Sequence, residues 1–159
     1  MVTLANVSHQ ITQIINQRHI FVDDQIEDIL ALGLEVLGLD IAIVSQIRGN
    51  EYKVMHYHPL ESGLSAGKIF KFAYTYCNIT LKQNQLTDIP HMAISEHLRH
   101  PCYGVFSLES YIGMPIYLNN SLYGTLSFSS TEPRENFADS EKTLVKEMAK
   151  AVTGLLQLG

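Results

Sequence analysis

Only two cysteines, Cys77 and Cys102, occur in the 159 residues, too few for a disulfide framework. Free thiols fit a reducing compartment, so a cytoplasmic location is expected. Basic residues are also scarce: 11 Lys and Arg stand against 16 Asp and Glu, giving a formal net charge of -5. They are scattered along the chain, and no stripe exists to neutralise phosphates, so nucleic acid is not an expected partner. No apolar run approaches the roughly 20 residues needed to cross a bilayer. Met1 to Gln10 lacks the basic-then-apolar order of a secretion signal. No membrane partner is therefore expected. Internal repeats and low-complexity linkers are absent too. A composition of 46% hydrophobic and 17% charged residues is enough for a self-sufficient core.

What is present is most informative between Ser110 and Ser130. The stretch reads as two strands joined by the polar turn Asn119-Asn120-Ser121. In the first strand Ile112, Met114, Ile116 and Leu118 share one face, with Tyr111, Gly113, Pro115 and Tyr117 on the other. In the second, Leu122, Leu126 and Phe128 share a face, opposite Tyr123, Thr125, Ser127 and Ser129. One side of the hairpin is aliphatic and suits a core. The other is small, aromatic and hydroxylated, and suits the floor of a pocket.

Elsewhere, Leu4, Val7, Ile11, Ile14 and Ile15 recur at helical spacing and predict an amphipathic first helix. A second helix is expected from near Asp24, where Asp24 and Glu27 resemble a capping box. Ile26, Ile29, Leu30, Leu34 and Leu37 form its stripe, and Gly38 stops it. Ile41 to Ile47 and Glu51 to Tyr57 predict a strand pair. A loop-rich middle follows, with short elements at Lys68 to Phe72, Tyr76 to Lys82 and Leu86 to Ile89, and a helical turn or two between Ser95 and Phe106. A long helix is expected from about Asp139 to Leu158, with Val145, Met148, Ala149, Val152, Leu155 and Leu156 as its stripe. Short hairpin connections make the sheet mainly antiparallel. The fold class is therefore α+β, with terminal helices on the aliphatic face and a loop-capped pocket on the other.

These residues resemble the GAF domain family, especially the GAF domains of bacterial sensor proteins. Tyr111-Ile112-Gly113-Met114-Pro115 matches a Tyr-Ile-Gly-x-Pro pattern. Tyr123-Gly124-Thr125-Leu126-Ser127-Phe128-Ser129-Ser130 matches the strand that follows it, and Pro133-Arg134 and Phe137-Ala138-Asp139 match the entry to the last helix. Thr75-Tyr76-Cys77 and His100-Pro101-x-Tyr103 also resemble the pattern. Ala138 departs from a common Ser or Thr cap, so Asp139 or Ser140 is expected to cap instead. The resemblance implies a single domain over residues 1–159, with an N-terminal helix over 1–22 and a core over 24–156. It implies a sensory module that binds a small molecule or senses redox state and catalyses nothing. It further implies a homodimer through the terminal helices and an output partner such as a histidine kinase. Leu155, Leu156 and Leu158 at the chain's end point to the same dimer, because they lie beyond the usual reach of a sheet-packing helix.

Tyr74, Tyr76, Phe106, Tyr111 and Tyr117 are the candidate pocket aromatics, able to stack on a planar ligand and offer phenols. Cys77 joins them as a ligand-facing thiol at a helix start, where the helix dipole would lower its pKa, or as a packing residue beneath the pocket. The cofactor is not specified. Neither Cys77 nor Cys102 is followed by the His of bilin-binding relatives, and only Phe137, Asp139 and Glu141 survive of the cyclic-nucleotide signature. His91, His97, His100 and Cys102, with His56 and His58 upstream, lack the paired spacing of a closed zinc site; the histidines are expected to be solvated and no metal site is assigned, while a single haem-ligating His stays open because some GAF domains bind haem. Two alternatives come from other classes. One is a thiol-dependent reductase like the free methionine sulfoxide reductases, using Cys77 and Cys102. The other is a dimerisation module with an empty pocket.

Overall fold

The computed structural model describes residues 4–17 and 21–158, without the side chains of residues 4, 5 and 103–105. Residues 1–3 and 18–20 of the expected N-terminal helix, the Leu4 side chain of its stripe and the Tyr103 side chain of the family pattern lie outside the described residues. Six strands form one antiparallel sheet in the order β3-β2-β1-β6-β5-β4. They are β1 (Ile41–Arg48), β2 (Glu51–His58), β3 (Ile69–Lys71), β4 (Thr87–Ile89), β5 (Ser110–Leu118) and β6 (Ser121–Ser130). Helices α1 (Leu4–Ile15), α2 (Val22–Leu37) and α5 (Asp139–Leu158) cover one face; the short α3 (Cys77–Gln83) and α4 (Pro101–Phe106) lie on the other. The fold is α+β, as the hairpin asymmetry predicts.

Two separate apolar clusters follow from that layering. On the helix side, Ile26, Ile29 and Leu30 of α2 and Val145, Met148 and Val152 of α5 pack against Ala42, Val44, Ile112, Leu126 and Phe128 of the sheet. On the other side, Tyr52, Val54, Tyr76, Cys77, Ile89 and Tyr111 form a second cluster. Alternation along β1, β5 and β6 divides neighbouring residues between the two.

Bulges change that alternation at two places. Between β5 and β6 the register shifts at Ile116/Tyr117, so Ile116 faces Gly124 while Tyr117 faces Leu122. The extra residue on β6 sends Tyr123 to the helix-side core and leaves Leu122 42% exposed, the reverse of the faces expected from strict alternation. Between β1 and β2 a shift at Val44/Ser45 lets Tyr52 and Val54 point to the pocket side, while His56 and His58 approach α2. These histidines are not solvated loop residues: His56 Nε2 lies 2.9 Å from Asp23 Oδ1, and His58 Nδ1 lies 3.8 Å from Glu27 Oε1.

Helix ends explain other differences from expectation. α2 starts at Val22 with Phe21 at its N-cap, so Asp24 and Glu27 sit inside the helix and form no capping box. Its C-terminal stop is Gly38, whose φ of 67° is the left-handed conformation that glycine adopts without strain. At α5 the capping contact comes from Glu141, whose Oε1 accepts the Ala138 N–H at 2.8 Å; Asp139 and Ser140 are not its source. A carboxylate three residues into the helix reaches back as in half of a capping box. Leu155 is 2% exposed within this one chain, so it serves the core and is no spare dimer contact; Leu158 is 75% exposed.

Candidate functional site

The pocket-facing side of the sheet and the segments above it enclose a cavity of about 230 Å³. Its floor comes from Ile41 and Ile43 of β1, Tyr52 of β2, Tyr111 of β5, and Ser127 and Ser129 of β6. Its walls come from Ser62 and Leu64, Phe70 of β3, Thr75 to Cys77 at the start of α3, Cys102 and Phe106 of α4, and Leu108 and Thr131. The antiparallel ladder places Ser127 and Ser129 beside Ile43 and Ile41, which is why hydroxyls and aliphatic groups alternate across the floor.

Of the candidate residues, Tyr76, Cys77, Phe106 and Tyr111 line this cavity together. Tyr74 and Tyr117 stand outside it, each 42% exposed. Tyr74 carries the Lys71 ammonium over its ring at 5.7 Å, and the Tyr117 hydroxyl donates to Asn84 Oδ1. Tyr74 ends a 3-10 turn (Phe72–Tyr74) that points it outward, and Tyr117 lies at the β5 bulge near the hairpin end. Sequence reasoning missed Tyr52 and Phe70 as lining residues, and named Cys102 only for the reductase alternative. The alternation Tyr52-Lys53-Val54 carried a signal for the first. Phe70 and Cys102 reach the cavity only through chain packing, which no local pattern encodes.

Cys77 sits at the centre of a buried hydroxyl network. Thr125 Oγ1 donates to Cys77 Sγ at 3.0 Å, and the Tyr111 hydroxyl does so at 3.4 Å. Thr125 also pairs with Ser45 at 2.7 Å, and Tyr111 with Thr80 at 2.8 Å. These bonds satisfy polar groups that burial would otherwise penalise. The position of Tyr111 depends in turn on Gly113. A Cβ on Gly113 would stand 2.1 Å from the Tyr111 phenol oxygen, so the Tyr-Ile-Gly order leaves room for the ring to fold back over its own strand.

Burial governs the chemistry of both thiols. It pushes the Cys77 thiol up, outweighing the hydrogen bonds from Thr125 and Tyr111 that favour the thiolate. The lowering expected from the helix dipole is not the outcome, because α3 is short and Cys77 is only 2% exposed. Burial likewise pushes Cys102 up to about 12. Both are therefore thiols at neutral pH, a poorly nucleophilic form.

A pH dependence follows. For Cys102 the folded pKa exceeds the ordinary value of 9.0, so the unfolded chain loses its proton first. The stabilisation is fully present below pH 9 and is lost as pH rises towards about 12. The slope reaches roughly 1.4 kcal/mol per pH unit. Urea unfolding between about pH 8 and about pH 10 should show stability falling, and Cys102→Ala should flatten the decline. An identical slope in the variant would remove Cys102 as its source.

His100, beside the cavity, adds no positive charge. His100 packs its ring 5.4 Å from that of Tyr76, and its Nδ1 accepts the Cys102 N–H at 3.0 Å. Burial, with His97 nearby, lowers its pKa, so it is neutral at pH 7. Among the described residues no three His, Cys, Asp or Glu side chains converge as metal ligands, and no helix is long and apolar enough to cross a membrane.

Comparison with solved structures supports the fold. The GAF domain of an Acinetobacter phosphoenolpyruvate-protein phosphotransferase matches at a TM-score of 0.79 and 14% identity, over 99% of this chain and 95% of that one. A Neisseria meningitidis free methionine-R-sulfoxide reductase, solved with its substrate, matches at 0.74 and 13% identity, over 97% and 88%. The phycocyanobilin-bound GAF domain of a cyanobacterial phytochrome matches at 0.72 and 17% identity, over 99% and 96%. No curated protein sequence matches. The GAF domain family profile matches residues 22–155, which spans β1 to β6, α2 and most of α5. With that match and the sheet order above, the chain belongs to the GAF domain family.

Proposed function

We propose that this domain is a sensory module that binds a small molecule in the cavity between the sheet and α3 and α4. The observation that carries the reading is the cavity itself: a pre-formed, mainly apolar space with hydroxyl groups on its floor. Its volume of about 230 Å³ lies below the roughly 300–1,000 Å³ of pockets for drug-sized ligands, so the occupant is smaller than those. The family supports the reading, since one similar GAF domain holds phycocyanobilin. The signal would pass through β1 and β6, whose alternate residues belong to the cavity and to the core under α1, α2 and α5. Occupancy would bias loop order between residues 60 and 105 and so the set of the terminal helices. A homodimer through α1 and α5 and an output partner such as a histidine kinase complete the proposal. The exposed Leu158 at the end of α5 fits an interface there.

A thiol-dependent reductase is the second reading, favoured by one observation: Cys77 and Cys102 line the same cavity. Their raised pKa values weigh against it, because the thiolate is the attacking species.

Native mass spectrometry and an absorption spectrum of gently purified protein test the main reading. A retained small molecule is the expected result. Its extract, added back to stripped protein at about a hundred times its Kd, should stabilise by about 2.7 kcal/mol. For a chain of this size that raises Tm by roughly 5–10 °C. A clean apoprotein that no extract stabilises would overturn the reading. Turnover of a sulfoxide that Cys77→Ser abolishes would replace it with the reductase.

A further inference from the structure

The lining of the cavity constrains the charge of its occupant. None of the described residues that form it is Asp, Glu, Lys, Arg or His. A charge placed there without a partner would keep its desolvation cost, which in proteins amounts to several kcal/mol. Three backbone donors beside the cavity are already taken. α3 and α4 both begin at the cavity, yet the Asn78 and Ile79 N–H groups donate to the Thr75 and Tyr76 carbonyls, at 3.2 and 2.9 Å. The Cys102 N–H is taken by His100 Nδ1.

Three of the hydroxyls lining the cavity are committed as well. Tyr76 donates to the Leu108 carbonyl at 2.8 Å, Tyr111 to Cys77, and Thr75 to the Phe72 carbonyl at 2.9 Å. Ser129 differs. It is 6% exposed and lines the cavity, and its Oγ has no hydrogen-bond partner among the described residues. A buried hydroxyl in this state is available to one polar atom of a ligand.

Aromatic edges complete the wall. The Phe70 and Phe106 rings meet edge to face, with centroids 5.4 Å apart and planes at 84°. Tyr52 meets Phe70 at 6.2 Å and 61°. Such edges and faces favour a flat aromatic occupant over a flexible polar one.

We propose that the occupant is an uncharged aromatic molecule of one or two rings, with a single carbonyl or hydroxyl bonded to Ser129. This rests on the small-molecule reading above and narrows it to a class. Anionic metabolites, cyclic nucleotides and zwitterionic amino acids are then poor ligands, because their charges would meet only hydroxyls and hydrocarbon.

Isosteric probe pairs that differ in charge test the class. Acetophenone is compared with benzoate, and 2-acetylnaphthalene with 2-naphthoate, by calorimetric titration and melting temperature. The neutral member of at least one pair should bind, with its carboxylate partner at least about a hundredfold weaker. Ser129→Ala should weaken the neutral ketone by about fivefold, the worth of one net hydrogen bond. Carboxylates that bind as tightly as the ketones would overturn the charge inference while leaving small-molecule binding intact. No binding by either member of either pair would overturn the class, and the retained mass in native spectrometry would then decide the broader reading by itself. A ketone affinity unchanged in Ser129→Ala would overturn the role of that hydroxyl.

Discussion

Gly124→Ala should unfold this domain or leave it barely stable. A Cβ at Gly124 would stand 1.8 Å from the carbonyl oxygen of Ser45 and 2.7 Å from its carbonyl carbon. These are backbone atoms of β1, the central neighbour of β6, and they cannot rotate aside as a side chain can. The β1–β6 ladder would have to separate where it also supports Thr125, Ser45 and, through them, Cys77. Overpacking commonly costs 1–3 kcal/mol, and with a rigid neighbour about 3–5 kcal/mol is expected, a large part of a typical domain's stability. Gly154→Ala is the matched control. That site lies in α5 with nothing within 4 Å of an added Cβ. There the change should stabilise by up to about 1 kcal/mol through helix propensity. Urea unfolding of both variants decides the matter: a loss under about 1 kcal/mol in Gly124→Ala would show that β1 gives way after all.

The next largest effect is expected at Arg134. Its Nη1 donates to the Leu37 carbonyl at the end of α2 at 2.7 Å, and its Nη2 meets both oxygens of Glu141 at 2.7 and 2.9 Å. The guanidinium also lies 4.0 Å from the centroid of Phe137. One side chain thus joins the last carbonyl of α2 to the first turn of α5, with only 20% of it exposed. Arg134→Ala removes these contacts together and strips Glu141, itself 15% exposed, of its cation. Breaking one side of a fully buried pair costs 3–5 kcal/mol, so about 2–4 kcal/mol is expected for this partly exposed one. Arg134→Lys should recover only a fraction, because an ammonium cannot hold the Leu37 carbonyl and both Glu141 oxygens in one plane. Equal denaturation midpoints for the lysine variant and the parent protein would count against this geometry.

Both predictions concern residues that the resemblance singled out as family pattern, and the structure supplies their physical reasons. Gly124 is required by close backbone approach, Gly113 by the fold-back of Tyr111, and Arg134 by the need to tie two helix ends. The sequence displayed these residues without their causes. A Cβ clash with the Ser45 carbonyl involves positions far apart in the chain, and no local period reveals it.

The candidate site was legible in part for a similar reason. Tyr111, Ser127 and Ser129 were visible as the non-aliphatic face of a hairpin, because period-two alternation is a local property of strands. Tyr76 and Cys77 were visible as the start of a short helix. Tyr123 and Leu122 exchanged faces because a bulge adds one residue, and nothing in Ser-Leu-Tyr-Gly announces it. Tyr74 and Tyr117 share composition with the cavity residues, but their direction is set by a 3-10 turn and by the bulged end of β5.

By itself the sequence determined the main elements, their faces away from the bulges, the antiparallel α+β arrangement and the absence of a basic stripe. Each of these follows from local periodicity, turn residues and charge counts. Tertiary structure alone decided which side chains meet around the cavity, that burial keeps Cys77 and Cys102 protonated, and that no charged residue among those described lines the space. Desolvation and enclosure depend on every segment packed around a point, and Phe70, Cys102 and Ser129 reach that point from three distant stretches of the chain.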